Sequence, residues 1–260
     1  MINRQIVYKN IKRVLCVSLV FLIPLFAVYS TIISQQISPN IQFKAANYTD
    51  YYPVSYKRAI KKSRESVVQI ISLSAENTGY FSTATGTYFE AYGSHFVITV
   101  MHAIQGPCEF TTVVHNDEVH SCIKYIATDT QHDYAIIQVD PIADRTPIDI
   151  FKDLPRNTEW KRSYSLMNRL VYTGYPNTIG PLTISGDIAG FAGFDYIYML
   201  SYAWAGSSGS GVFDHRGRYI GYVVAVDVGQ TEFGAQVLQN VVLVAPSFNV
   251  DWTKVITDAE

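Results

Sequence analysis

The stretch Gly206-Ser207-Ser208-Gly209-Ser210-Gly211-Val212-Phe213 decides how this chain is read. A serine set between glycines in a tight turn is how a hydroxyl nucleophile is exposed. The glycines let backbone N–H groups crowd toward the point where an oxyanion would form. Gly/Ser runs by themselves are ordinary turns, so the weight lies in what precedes this one. His102 ends the apolar, β-branched run Ile98-Thr99-Val100-Met101-His102-Ala103. Asp133 opens the strand-like Asp133-Tyr134-Ala135-Ile136-Ile137-Gln138-Val139. A serine hydroxyl is a poor nucleophile near neutral pH. It needs a histidine base, and that base needs a carboxylate to fix its tautomer. The expected roles are Ser208 as nucleophile, His102 as base and later acid, and Asp133 as orienter. The backbone N–H groups of Gly206 and Ser208 are the expected oxyanion hole. Ser207 and Ser210 lack the Gly-x-Ser-Gly spacing and read as loop residues.

These segments, in this order, resemble the chymotrypsin-fold serine proteases and within them the HtrA/Deg type, over roughly residues 64 to 257. The His102 segment is similar to the family's apolar strand ending in Thr-x-x-His, and the Ser208 segment to Gly-Asn-Ser-Gly-Gly-Pro. Gly174-Tyr175-Pro176, Thr183-Ile184-Ser185-Gly186, Gly217-Arg218-Tyr219-Ile220-Gly221 and Val244-Ala245-Pro246-Ser247 keep the same register. Ser210-Gly211 stand where the family has Gly-Pro, and Val100-Met101 where it has small residues. The resemblance implies an all-β fold of two packed six-stranded antiparallel barrels, a first at about 64–143 and a second at about 166–250, with the active site between them. It also implies a substrate pocket shaped by Tyr202, Ala203, Val223, Val224 and Ala225. None is charged, which favours small or medium apolar residues before the scissile bond. HtrA-type relatives pack an aromatic N-terminal segment between subunits of a trimer. Tyr48, Tyr51, Tyr52 and Tyr56 are aromatic here, but no residue-level motif carries the trimer over.

The remaining composition sets bounds. The chain has 260 residues, enough for one large all-β domain or two small ones. Nineteen tyrosines suit a strand-rich fold, and a net charge of −2 gives no reason to expect nucleic acid. Val14 to Ile33 is an uncharged run of 20 residues, long enough at about 1.5 Å per residue to cross a hydrocarbon core. Arg4, Lys9, Lys12 and Arg13 precede it with no acid among them. The positive-inside rule therefore predicts a cytoplasmic tail over 1–13, a transmembrane signal-anchor over 14–34 and a protease domain outside the cytoplasm. A cleaved signal peptide is the alternative, although Phe26-Ala27-Val28-Tyr29-Ser30 is a poor cleavage site. Residues 35–63 read as a juxtamembrane segment whose basic stretch, Ser55 to Ser66, forms a short helix or a solvated spacer.

Cys108 and Cys122 flank the turn signal His115-Asn116-Asp117-Glu118 almost symmetrically. In an oxidising compartment they are expected to form a disulfide across the open end of a hairpin; the alternative is two buried thiols. His115, Asp117, Glu118 and His120 read as a polar hairpin tip, so no metal is expected, and the chemistry requires no cofactor. Short strands are predicted over 66–73, 85–92, 96–100, 122–128 and 133–139, then over 169–173, 182–189, 196–200, 212–213, 219–228 and 241–244, with the start of a closing helix at 251–260. The functional expectation is a membrane-anchored serine endopeptidase acting on exposed or unfolded polypeptide outside the cytoplasm. An inactive binding or scaffold protein on the same fold, and a self-processing protease of viral type, are the alternatives.

Overall fold

In the computed structural model, residues 54–74, 76, 79–156, 160–231 and 234–259 are described. The expected span over 14–34, Cys16 and the aromatic residues 48–52 lie outside them. Among the described residues no helix is long and apolar enough to cross a membrane.

Helix α1 (Val54–Ser66) opens the folded unit. Ala59, Ile60, Ser63 and Ser66 are buried, and their three-to-four-residue spacing places them on one face. Two sheets follow. The first comprises β1 (Val67–Leu73), β2 (Phe81–Ala91), β3 (Ser94–Thr99), β4 (Thr111–His115), β5 (Glu118–Ser121), β6 (Lys124–Asp129), β7 (Tyr134–Val139) and the two-residue β8 (Ile148–Asp149). Short helices α2 (Ile150–Asp153) and α3 (Trp160–Ser163) lie in the connection. The second sheet comprises β9 (Arg169–Gly174), β10 (Leu182–Ala192), β11 (Tyr196–Leu200), β12 (Gly211–Asp214), β13 (Tyr219–Thr231) and β14 (Gly234–Pro246), and α4 (Trp252–Ala259) closes the chain.

The second sheet is the expected six-stranded barrel, closed in the order β10-β11-β14-β13-β12-β9. The first corrects the expectation of a second closed barrel. It is an open path β5-β4-β1-β2-β3-β7-β6, and β8 joins β2 in parallel rather than antiparallel fashion. β5 is only four residues long and mostly faces solvent, so it stops before it can pair with β6. The apolar core nevertheless runs through both sheets: Tyr88, Phe89, Phe96 and Ile136 of the first pack in one cluster with Val171, Phe213, Tyr219 and Tyr222 of the second.

The basic stretch at 55–66 is not a solvated spacer. Between its charged residues α1 carries the small and apolar face that docks on β9, β10 and β12. Ser63 Oγ donates to Thr173 Oγ1 at 2.5 Å, and Arg64 Nη1 donates to Thr183 Oγ1 at 3.0 Å. Lys62 pairs with Asp153 on α2. The alternating charges hid that face from a reading by composition.

Cys108 and Cys122 are bonded, with Cα atoms 5.3 Å apart. The route differs from the expected one. The β4–β5 turn centres on Asn116-Asp117, both with positive φ (49° and 65°), a conformation that Asn and Asp tolerate best among residues with a side chain. In that register Thr112 faces Ser121, so the strand partner due opposite Cys122 is Thr111, whose carbonyl accepts from the Cys122 N–H. Cys108 reaches its partner through a 3-10 turn, Cys108–Phe110, that folds back before β4 begins.

His115 is the last residue of β4 and is buried, and among the described residues neither ring nitrogen has a hydrogen-bond partner. Burial, followed by the nearby Arg145 charge, lowers its pKa from the ordinary histidine value. With the folded pKa below the unfolded one, the unfolded chain takes up more protons in acid. Stability is therefore lost as pH falls through the unfolded value of about 6.5. Thermal unfolding of His115→Leu is expected to match wild type at pH 7.5 and to lose less Tm between pH 6.5 and 5. Identical slopes for the two proteins would show that His115 is not an acid-labile element.

Candidate active site

β3 ends at Thr99, and the chain turns at once into a 3-10 turn, Met101–Ala103, that carries His102. Asp133 lies in the turn between β6 and β7, and its φ of 55° is one that aspartate adopts more readily than most residues. That turn is built from side chains. Asp129 Oδ1 accepts from the N–H groups of Gln131 (2.7 Å) and His132 (3.0 Å), and the Asp129 carboxylate also meets the His132 ring at 2.9 Å. Tyr222 Oη, whose proton burial holds more tightly, donates to the His132 carbonyl at 2.6 Å. The second barrel therefore braces the residue next to Asp133.

The Asp133 carboxylate grips His102 at two points. Oδ1 accepts from the His102 backbone N–H at 2.8 Å and Oδ2 meets Nδ1 at 2.6 Å. With Nδ1–H donated to a carboxylate, Nε2 is the free basic nitrogen. The imidazole is half-exposed while the carboxylate is largely covered. This is the arrangement that fixes a base and keeps its partner shielded from water.

Ser208 sits in the loop between β11 and β12, in one cavity of about 220 Å³ with His102. Its hydroxyl donates to the Val224 carbonyl at 2.9 Å. Val224 is available because β13 bulges against β14 between Val223 and Ala225, which takes Val224 out of the ladder. Ser207 and Ser210 are buried and tied into the loop. Ser207 Oγ accepts from the Trp204 N–H at 3.3 Å, and Ser210 Oγ donates to the Ser207 carbonyl at 2.6 Å. The loop needs its glycines: Gly209 has φ 86°, and a Cβ there would lie 2.0 Å from the Thr85 carbonyl oxygen. Among the described residues, no hydrogen bond involves the N–H of Gly206 or of Ser208.

The family match covers residues 84–221 with a trypsin-like peptidase domain, a range that holds His102, Asp133 and Ser208. The chain belongs to the trypsin-like peptidase domain family. By class the peptidase is a serine endopeptidase. No curated protein matches it in sequence. Among solved structures, the peptidase is similar in fold to the serine endoprotease from Yersinia pestis, at a TM-score of 0.57 and 16% identity over 80% of this chain and 67% of that one. It is also similar to the HtrA-type protease AlgW with tripeptide, at a TM-score of 0.58 and 16% identity over 79% of this chain. The peptidase spans only 64% of that second structure's length.

The cavity beside the peptidase's serine is lined by Ala203, Trp204, Ala205, Ser207, Val223 and Val224 in addition to His102 and Ser208. Of the residues expected at the substrate pocket, Ala203, Val223 and Val224 line this cavity. Tyr202 is not among the lining residues: more than half exposed, it stacks on Trp204 with ring centroids 6.2 Å apart. Ala225 is placed by its backbone in β13, opposite Leu243. Trp204 was missed because the backbone between β11 and Ser208 is irregular, so no strand period says which way its side chain points. At the hairpin tip, His115 faces Glu118 across the β4–β5 ladder, and Glu118 Oε2 lies 4.0 Å from His120 Nε2.

Proposed function

We propose that this peptidase is a membrane-anchored serine endopeptidase of HtrA-like type that cleaves exposed or unfolded polypeptide outside the cytoplasm. The observation that carries the reading is the double grip of Asp133 on His102 in a cavity shared with Ser208. In the reaction, the Ser208 hydroxyl turns from the Val224 carbonyl to His102 Nε2 and gives up its proton as Oγ attacks the scissile carbonyl. The new oxyanion takes hydrogen bonds from the N–H groups of Gly206 and Ser208. The imidazolium, held by Asp133, then protonates the leaving amine. Water, deprotonated by the same nitrogen, hydrolyses the acyl-enzyme. The apolar cavity wall of Ala203, Ala205, Trp204 and Val223 suits an apolar side chain of small or medium size before the scissile bond.

Anchoring rests on the uncharged run 14–33 behind four basic residues, and the extracytoplasmic side on that charge bias. The Cys108–Cys122 bond fits an oxidising compartment. Cleavage of a denatured protein by the full chain, with the cut sites mapped by mass spectrometry, tests the activity. Cuts after Ala, Val or Leu are expected; cuts confined to Lys and Arg would contradict the cavity reading. Protease treatment of intact cells or sealed vesicles tests the side. The peptidase domain is expected to be digested in right-side-out preparations, and its protection there would refute the topology.

One observation favours a second reading, a binding protein on the peptidase fold: the Ser208 hydroxyl is donated to Val224 rather than to His102. A chain that binds denatured protein without ever cutting it would establish that reading.

A further inference from the structure

Thr85 lies on β2, in the first sheet, and is fully buried. It belongs to none of the groups assigned above, yet three segments meet on it. Its Oγ1 accepts from the Tyr175 N–H at 2.9 Å and donates to the Gly206 carbonyl at 2.7 Å. Its own N–H donates to the Ser208 carbonyl at 2.8 Å. Its carbonyl accepts from Thr99 Oγ1 at 2.8 Å, which ties the residue to the strand leading to His102. A single side chain and its backbone therefore clamp the nucleophile loop from the other sheet at two places, Gly206 and Ser208.

The geometry points to Thr85 as a residue that positions the loop bearing the two oxyanion donors, by anchoring the peptides next to those that Asn177 and Ser210 hold directly, an inference that rests on the function proposed above. The physical reason is peptide planarity. In a trans peptide the C=O and N–H lie on opposite sides of the unit, so fixing the carbonyl fixes the amide. The Gly206 N–H shares its peptide with the Ala205 carbonyl, which accepts from the Asn177 N–H at 2.6 Å. The next peptide is fixed through the Gly206 carbonyl by Thr85 Oγ1, and the one after Ser208 through the Ser208 carbonyl by the Thr85 N–H. The peptide that carries the Ser208 N–H is held directly through the Ser207 carbonyl, which accepts from the Ser210 N–H at 3.1 Å and Oγ at 2.6 Å, and it lies between the two planes that Thr85 anchors. The Gly206 N–H is bracketed by Asn177 on one side and Thr85 on the other. Asn177 itself is carried by the segment that the Tyr175 N–H to Thr85 bond holds, so removing the hydroxyl loosens both brackets together. Gly206 has φ 91°, and with glycine's freedom nothing in its own conformation restores the orientation.

Thr85 touches no substrate atom in this reading; it is a positioning residue. Thr85→Val keeps the shape and removes the hydroxyl. It is expected to lower kcat by about 10- to 100-fold, short of the loss that follows outright removal of an oxyanion donor, with KM for a peptide substrate held within about twofold. Such a split marks an interaction made only in the transition state. Affinity for a peptide aldehyde, whose adduct bears the oxyanion, should fall in parallel with kcat/KM. Thr85→Ser restores the donor and acceptor and is expected to recover kcat to within about threefold of wild type. Should the valine variant not fold, Thr85→Cys takes its place, since a thiol is a weak donor and acceptor, with the same expectations. A kcat for the folded variant equal to wild type, or a serine variant as slow as valine, would overturn the assignment. Ser208→Ala measured beside them separates the two levels. If it retains activity, the proposed function fails; if it is dead while Thr85→Val is normal, only the role of Thr85 fails.

Discussion

Ser208→Ala is expected to lower turnover of unfolded casein by about 10⁴ to 10⁶ while the protein stays folded. The loss is large because no other hydroxyl can take the nucleophile's place. Ser207 and Ser210 are buried, and their hydroxyls are bound within the loop. The structural cost is small. Ser208 is only half-buried, and among the described residues its side chain hydrogen-bonds only to the Val224 carbonyl, a bond worth about 1 kcal/mol net. Casein turnover and thermal unfolding of the variant beside wild type check both halves. Turnover within about tenfold of wild type would remove Ser208 from its role, and a variant that fails to fold would show the loop serine to be structural.

The second large effect is that of Asp133→Asn, expected to lower kcat by about 10⁴. Both carboxylate oxygens are acceptors here, one for the His102 N–H and one for Nδ1. An amide has one acceptor oxygen and one donor nitrogen. If the oxygen keeps the backbone N–H, the amide NH₂ faces the ring and Nδ1 must become the acceptor. The proton then moves to Nε2, the nitrogen that has to be free to take the Ser208 proton. The alternative flip keeps the tautomer and sets an N–H against the His102 N–H. Either way the base is mis-set, with little change in bulk. Steady-state kinetics should show the fall in kcat with KM within a few-fold. A variant with normal kcat would mean that the carboxylate does not orient the base.

Much of this site was legible in the chain because its signals are contiguous. The glycines about Ser208, the apolar run ending at His102 and the segment opening at Asp133 each announce a local shape, and the strands they predicted lie within a few residues of the observed ones. The strands of the second barrel were read from local signals of the same kind, while its closure was an implication of the resemblance. Other features depend on contacts between distant residues, which local pattern does not carry. That the first sheet stays open turns on the shortness of β5. The docking of α1 depends on four small or apolar positions set among lysines and arginines. The exchange of Tyr202 for Trp204 at the cavity depends on side-chain direction in irregular backbone, and the Thr85 clamp on atoms about 120 residues apart in sequence. The disulfide was found for a partly different reason than expected, since the 3-10 turn at Cys108 rather than the hairpin register alone brings the sulfurs together.

Labelling of the folded full chain with a fluorophosphonate, followed by peptide mapping, tests most directly whether Ser208 is an activated nucleophile. The reagent phosphonylates a serine only where a base takes up its proton and an oxyanion hole receives the developing charge. The expected result is a single adduct on Ser208 in wild type and none in Ser208→Ala. No adduct on folded wild-type protein, or an adduct that persists in Ser208→Ala, would contradict it.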